Sequence, residues 1–368
     1  MKRSRAFLTV STVAILVLSA CTTASPSPGE LTQVRVQLQW APQAQFAGYF
    51  AAKEKGFYAD EGLDVEIVDG GPDVIPQVVG SAANGPEFTI SWVPKVLEAR
   101  EAAEPSDLVN IAQIFQKSGT LSVSWKDSNI TEPADFAGKK VGVWDFGNEF
   151  EVTAAGRAVG LEEGTDYTKV IQPFDMTLLL SREIDVAEAM IYNEYAQVLE
   201  AENPATGELY QPEDLNVINY NDSAIGTAML QDALFARAAW LAEDGNDEIA
   251  VKFLRATFRG WIYCRENAEE CVNLVLAAGS TLGAGHQTWQ LNEINALIWP
   301  SPDGIGQLDS ALWDQTVQIA LDSGIIQAAP GADAFRTDLA TSALEGISED
   351  TKATDFTKGT VEVTPGGV

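Results

Sequence analysis

From Val34 to Trp40 the chain alternates, with Val34, Val36, Leu38 and Trp40 set against Arg35, Gln37 and Gln39, the two-residue period of a half-buried strand. A helical spacing follows. Phe46, Tyr49, Phe50 and Lys53 share one face, Gly56 stops the helix, and Leu63, Val65 and Ile67 alternate again as a second strand. Strand, helix and strand within about 35 residues predict a βαβ unit with parallel strands.

The same alternation continues along the chain. Gly70, Gly71 and Pro72 form a loop before a helix through Val74, Ile75, Val78 and Val79, and Phe88, Ile90 and Trp92 predict the next strand. A helix after Pro94, an apolar strand over 108–115 (LVNIAQIF) and TLSVSW over 120–125 complete a first lobe. After PADFAGKK (133–140), VGVW (141–144) restarts the alternation, with helices near 149–159, 175–183 and 194–203 and strands near 168–173, 185–191 and 215–220. From Leu230 onward long helical patterns dominate: LFARAAWL, IAVKFLRATFRGWIYC, ECVNLVLAAG, WQLNEINALIW and SALWDQTVQIALDSG. With few strands of their own, these helices are expected to pack back on the first lobe.

The pattern therefore predicts two α/β lobes with parallel sheets, 33–123 plus 223–345 as a discontinuous lobe 1 and 124–222 as lobe 2, with the chain crossing between them twice. A length of 368 residues suits two cores. The double crossing places a cleft at the carboxyl ends of the strands, where open α/β sheets bind ligands. Helix N-termini there offer N–H groups, and the crossing segments can hinge. The tail, 346–368, is polar and rich in Thr and Gly, and is expected to be flexible.

Charge narrows the partners. The net charge is −30, from 53 acidic and 23 basic residues with one histidine, His286, so the surface repels nucleic-acid backbones and anionic headgroups. The first twenty residues add a destination. MKRSR is a basic start, AFLTVSTVAILV an apolar stretch, and Leu18, Ser19, Ala20 and Cys21 a small-residue cleavage site. The apolar run is short of the roughly 20 residues of a bilayer span.

This segment resembles a bacterial lipoprotein signal. The resemblance implies that 1–20 is removed, that Cys21 carries lipid, and that 21–32, rich in Ser, Thr and Pro, is a linker to the outer face of the cell membrane. Two cysteines remain, Cys264 and Cys271, seven positions apart. In an exported chain such a pair is expected to form a local disulfide, closing a bend between two helical segments where RENAEE supplies the turn.

No catalytic residue, cofactor or metal is assigned, because no GxSxG, HExxH, P-loop or metal-spaced Cys/His cluster is present. His286, in GAGHQTW, reads as a helix-boundary residue. The strand-to-helix corners carry rings and amides instead. Trp40, Phe46 and Tyr49 offer flat faces, and Gln43 and Gln45 both donate and accept hydrogen bonds. SWVP puts Ser91 and Trp92 at the cleft lip, and Phe115 stands at the next strand end. In lobe 2, WDFGNEF supplies Trp144, Phe146 and Asn148, and AMIYNEY supplies Tyr192, Asn193 and Glu194.

Each assignment competes with a plainer one. Trp40 and Phe46 have the usual aromatic alternative of a place in the core, and Asn148 and Glu149 that of a helix cap. An anionic ligand would want basic groups, yet the corners hold Asp145, Glu149 and Glu194, while Lys95 and Lys117 are not clearly at strand ends. The expected ligand is neutral or weakly cationic, planar and heterocyclic.

The run LQWAPQAQFAGYFAAKEKGFYADEGLDVEI, with EFTISWVPKVLEAR, GKKVGVWDFGNEFE and REIDVAEAMIYNEYA, resembles the thiamine-pyrimidine (hydroxymethylpyrimidine) family of binding proteins over most of the chain. The resemblance implies a type II periplasmic binding protein fold, two Rossmann-like lobes joined by a double-crossing hinge. It also implies a monomeric, extracytoplasmic solute-binding component of an ABC importer that hands its ligand to a membrane permease. Members bind formylated aminopyrimidines, others riboflavin, and a wider circle sulfonates and nitrate.

In the family's first loop a tryptophan, a proline and a glycine match Trp40, Pro42 and Gly48. Gln43 stands where asparagine is usual, and Phe46 where eukaryotic pyrimidine synthases carry a histidine and use pyridoxal phosphate chemistry. Synthase activity is therefore not expected. Phe46, Trp144 and Phe146 add ring surface that favours riboflavin over a formylaminopyrimidine or hydroxymethylpyrimidine ligand.

Overall fold

The structure, a computed structural model, describes residues 31–368. The signal segment, Cys21 and most of the linker lie outside the described residues. Ten strands follow in order: β1 (Thr32–Gln37), β2 (Leu63–Val68), β3 (Phe88–Ser91), β4 (Leu108–Gln113), β5 (Thr120–Trp125), β6 (Lys140–Val143), β7 (Thr168–Ile171), β8 (Val186–Met190), β9 (Leu215–Asn219) and β10 (Ala233–Arg237). They form two five-stranded sheets, β2-β1-β3-β10-β4 and β7-β6-β8-β5-β9.

The βαβ units pair in parallel as their patterns require, with Val34 opposite Val65 and Val141 opposite Lys169. Two expectations are corrected. Both sheets are mixed, because β10 lies antiparallel between β3 and β4, and β5 lies antiparallel between β8 and β9. Ala233–Arg237 falls within the stretch read as helical, whose helix is confined to Ala238–Leu241. All five residues of β10 are buried, and a short apolar run carries no period that separates strand from helix. Its slot in the sheet decides.

Because β5 belongs to the second sheet, lobe 2 begins near Thr120 rather than after residue 123. The chain crosses between lobes before β5 and again after β9, and one buried carboxylate grips both crossings. Glu151 accepts from Ser118 Oγ at 2.8 Å, from Gln231 Nε2 at 3.2 Å and from the Met229 backbone N–H. Ser118 and Gln231 belong to opposite crossings.

The helical C-terminal part packs on lobe 1. Helix Asn246–Glu266 lies against helix Ala47–Glu54 so closely that a methyl group on Gly48 would overlap the Trp261 indole, and one on Gly260 would overlap the Gly48 carbonyl. Only glycine permits this approach. Cys264 and Cys271 are joined in a disulfide, with Cα atoms 5.5 Å apart, across the bend into helix Ala268–Ala277.

The tail is also corrected, since 346–368 is laid on the fold. Ser301 and Ile305 donate backbone N–H groups to Lys352 and Thr351 carbonyls at 2.9 and 2.8 Å, and Lys358 pairs with Glu293 at 2.8 Å. Phe356 packs on the lobe 1 core and Val363 on the lobe 2 core, while Gly366 donates to the Glu200 carbonyl at 3.0 Å. A polar composition hid these contacts because half of them are made by its backbone.

Candidate functional site

The cavity between the lobes is walled where β1, β3, β6 and β8 run out into the corners that follow them. Lobe 1 contributes Trp40, Gln43 and Trp92, and lobe 2 contributes Trp144, Phe146, Asn148, Tyr192, Asn193 and Glu194. The space between these residues, open solvent at its mouth included, is about 690 Å³.

Three expected residues do not line it. Phe46 is wholly buried in the lobe 1 core, because its helical face turns inward with Tyr49 and Phe50. Ser91 is buried within β3, and side chains alternate across a strand, so Trp92 rather than Ser91 reaches the cavity. Phe115 is buried and supports the site from outside, its ring edge-on to Tyr192 at 6.2 Å.

Rings close the cavity across the lobes. Phe174, in the loop after β7, lies 4.4 Å from Trp40 and is nearly parallel to Trp144 at 6.1 Å. Phe174 was not among the expected residues, although the strand-end rule that found Trp144 applies equally to it. Phe146 is 64% exposed, and its φ of 65° lies in the left-handed region, which is unfavourable for a bulky residue.

Beneath the rings runs a chain of buried polar groups. Gln43 Nε2 donates to Gln45 Oε1 at 2.7 Å, Gln45 Nε2 donates to Asp232 Oδ2 at 2.9 Å, and Trp92 Nε1 donates to Asp232 Oδ1 at 2.8 Å. Burial pushes the Asp232 carboxyl up to about 6, opposed by the bonds from Gln45 and Trp92 and by the nearby Lys95. The chain fixes the Trp92 indole.

Lys95, which the sequence did not place clearly at a strand end, is the cation of the lining. Its ammonium stands 4.4 Å from the Trp92 ring centre and donates to Asn148 Oδ1 at 2.7 Å, joining lobe 1 to lobe 2. Burial lowers its pKa to about 8, opposed by Asp232, Glu149 and Glu188. Asn148 is not a helix cap; its Nδ2 donates to the Asp145 carbonyl at 2.6 Å, and Glu149 accepts from Gly147 N–H at 2.9 Å.

On the opposite corner Glu194 accepts from the Met190 N–H at 3.0 Å and from Asn193 Nδ2 at 2.7 Å. Burial raises this carboxyl to about 7. His286, in the first turn of helix Ala284–Ile298, is buried with Nδ1 at 2.8 Å from Glu200 and Nε2 at 2.9 Å from Asn193. It is a link between helices from the two lobes. Among the described residues no group of three or more His, Cys, Asp or Glu is placed to hold a metal ion.

Flat faces, amide edges and one cation held by neighbours line the cavity. Two mixed α/β lobes, crossed twice by the chain and closing on such a cavity, define the fold of two-lobe solute-binding proteins. The chain belongs to the NMT1/THI5 like family, whose model matches residues 43–271, more than half of its length.

Among its relatives, the riboflavin-binding protein RibY of Chloroflexus aurantiacus is 26% identical over 354 residues, covering 87% of this chain and 93% of the relative. The formylaminopyrimidine-binding protein of Halalkalibacterium halodurans is 27% identical over 267 residues, covering 72% and 76%. The solved structure of the periplasmic aliphatic sulphonate binding protein SsuA of Escherichia coli superposes with a TM-score of 0.58 at 14% identity, covering 82% of this chain and 90% of that one. The likeness to SsuA is one of fold.

Proposed function

We propose that this protein is the extracytoplasmic solute-binding component of an ABC importer, capturing riboflavin between its lobes and delivering it to a membrane permease. In this reading the chain acts as a monomer, held to the membrane by lipid on Cys21. The observation that carries the ligand class is the aromatic lining, Trp40, Trp92, Trp144, Phe146, Phe174 and Tyr192, of the cavity between the lobes.

Rings on both lobes suit a flat ligand stacked between faces, and closure then brings the lobes together on it. A sulfonate or nitrate is a poorer match, because the one lysine of the lining is already bonded to Asn148 and seated on Trp92. We read the protein as a binder and not an enzyme. Phe46 replaces the histidine of the pyrimidine synthases and lies in the core, away from the cavity.

A thiamine pyrimidine precursor is the second reading, favoured by the relative that binds formylaminopyrimidine at nearly the same identity as the riboflavin binder. Titrating the mature protein with riboflavin is expected to quench flavin emission and raise the melting midpoint. A thermal shift with formylaminopyrimidine or hydroxymethylpyrimidine, and none with riboflavin, would select the second reading. If none of these compounds shifts the midpoint, the heterocycle reading is wrong.

A further inference from the structure

Most amides of the cavity are already engaged. Gln43, Gln45, Asn148 and Asn193 all hold hydrogen bonds to neighbouring residues. Two are not. Gln39 and Gln77 line the same cavity, are 7% and 6% exposed, and neither carboxamide oxygen has a hydrogen-bond partner.

Buried polar atoms without partners are uncommon and ask for a reason. Ser91, Thr89 and Tyr49 also hold unpartnered oxygens, but none of the three lines the cavity. Of these five residues only Gln39 and Gln77 belong to the lining, where a bound molecule that shifts their side chains slightly could reach the oxygens.

The backbone beneath these amides is rigid. Gln37 Nε2 donates to the Leu38 and Asp69 carbonyls at 3.1 and 3.0 Å, and Gly70 N–H donates to the Trp40 carbonyl at 3.1 Å. A methyl group on Gly70 would sit 2.6 Å from the Leu38 carbonyl oxygen, so the loop that leads to Gln77 lies directly on the segment that carries Gln39. The backbone that carries the amides is held in place before any ligand arrives, which reduces the ordering that binding requires.

We propose that Gln39 and Gln77 form a neutral amide subsite that accepts hydrogen bonds from N–H or O–H groups of the ligand and fixes which polar edge faces lobe 1. The proposal rests on the heterocycle-binding reading and adds the residues that select among heterocycles. An acceptor pair without charge rewards donors and leaves an anion unpaired, so the subsite also works against sulfonate-like solutes. In a flavin the donors are the ring N–H of the pyrimidine edge or the hydroxyls of the ribityl chain.

Gln39→Leu and Gln77→Leu separate these sources when titrated with riboflavin and with lumiflavin, which has the same ring and a methyl group in place of the ribityl chain. Each variant is expected to bind riboflavin roughly tenfold more weakly, since a buried donor of the ligand loses its partner. An equal loss for lumiflavin assigns the ring N–H, and a loss confined to riboflavin assigns the ribityl hydroxyls. The ligand-free variants should melt at or above the parent, because an unpaired buried amide has been replaced by an apolar group of similar size.

Affinities within about twofold of the parent for both ligands, or variants that melt lower without ligand, overturn the subsite. If the parent binds hydroxymethylpyrimidine and no flavin, the riboflavin reading fails alone. The same variants then test the subsite on the amino and hydroxyl donors of the pyrimidine. A parent that binds none of the three overturns both.

Discussion

Lys95 shows how far one side chain can depart from what its position along the chain suggests. It lies three residues after Trp92, one turn into helix Val93–Arg100, so the two share a face. That spacing was visible in the sequence. Its burial was not, because lysine is rarely enclosed. Burial lowers its pKa from 10.5 to about 8, so between those values the unfolded chain binds more protons than the folded one. Stability contributed by this group therefore rises with pH across that window, and the full penalty applies below it. Lys95→Met is expected to raise unfolding stability at pH 7 by roughly 2 kcal/mol, and by much less at pH 10, as denaturant titration at the two pH values will show. Phe46 and Phe174 make the converse pair: the motif position pointed Phe46 at the ligand and helix packing took it into the core, while Phe174, outside any motif, meets Trp40 across the cleft.

At the scale of elements, the regular strands and helices follow their periods, and the exceptions are the segments whose partners are distant. β10 has no alternation to announce it, and pairs with β3 and β4 from more than a hundred residues away. The tail has no periodic pattern at all, yet it runs from the lobe 1 core at Phe356 to the Glu200 backbone on lobe 2. Deleting 349–368 removes the Lys358–Glu293 pair, the buried Ala353 and the Gly366 hydrogen bond. The truncated protein is expected to melt roughly 5 °C or more below the full chain. An unchanged midpoint would show that these contacts add nothing.

For the molecule as a whole, acidity and burial together set the pH response. Burial raises Asp232 from 3.8 to about 6, and Glu151 and Glu194 from 4.5 to about 7. Between the ordinary and the raised values the folded state holds more protons than the unfolded state, so stability falls as pH climbs through roughly 4 to 7. Exposed carboxyls such as Asp135 and Glu270 are held below their ordinary values by hydrogen bonds, so their stabilisation is lost only at lower pH. The melting midpoint is accordingly expected to peak near pH 4 and decline toward pH 8. Glu151→Gln combined with Glu194→Gln should flatten that decline. Self-repulsion from a net charge of −30 acts in the same direction, and added salt should reduce that part alone.

The sequence by itself determined the succession of strands and helices apart from β10, the two-lobe plan, the cleft at the strand ends and the corners that carry Trp40, Trp92 and Trp144. These are readable because periods of two and 3.6 residues, glycine stops and strand-end corners are local properties of the chain. Only the tertiary structure decided that β10 and β5 run against their neighbours, that the tail is laid across both lobes, that Lys95 is sealed into the lining and that Gln39 and Gln77 line the cavity with buried, unpartnered amide oxygens. Each of these depends on which remote segment supplies the hydrogen bonds or removes the water. No residue's own neighbours in sequence specify that.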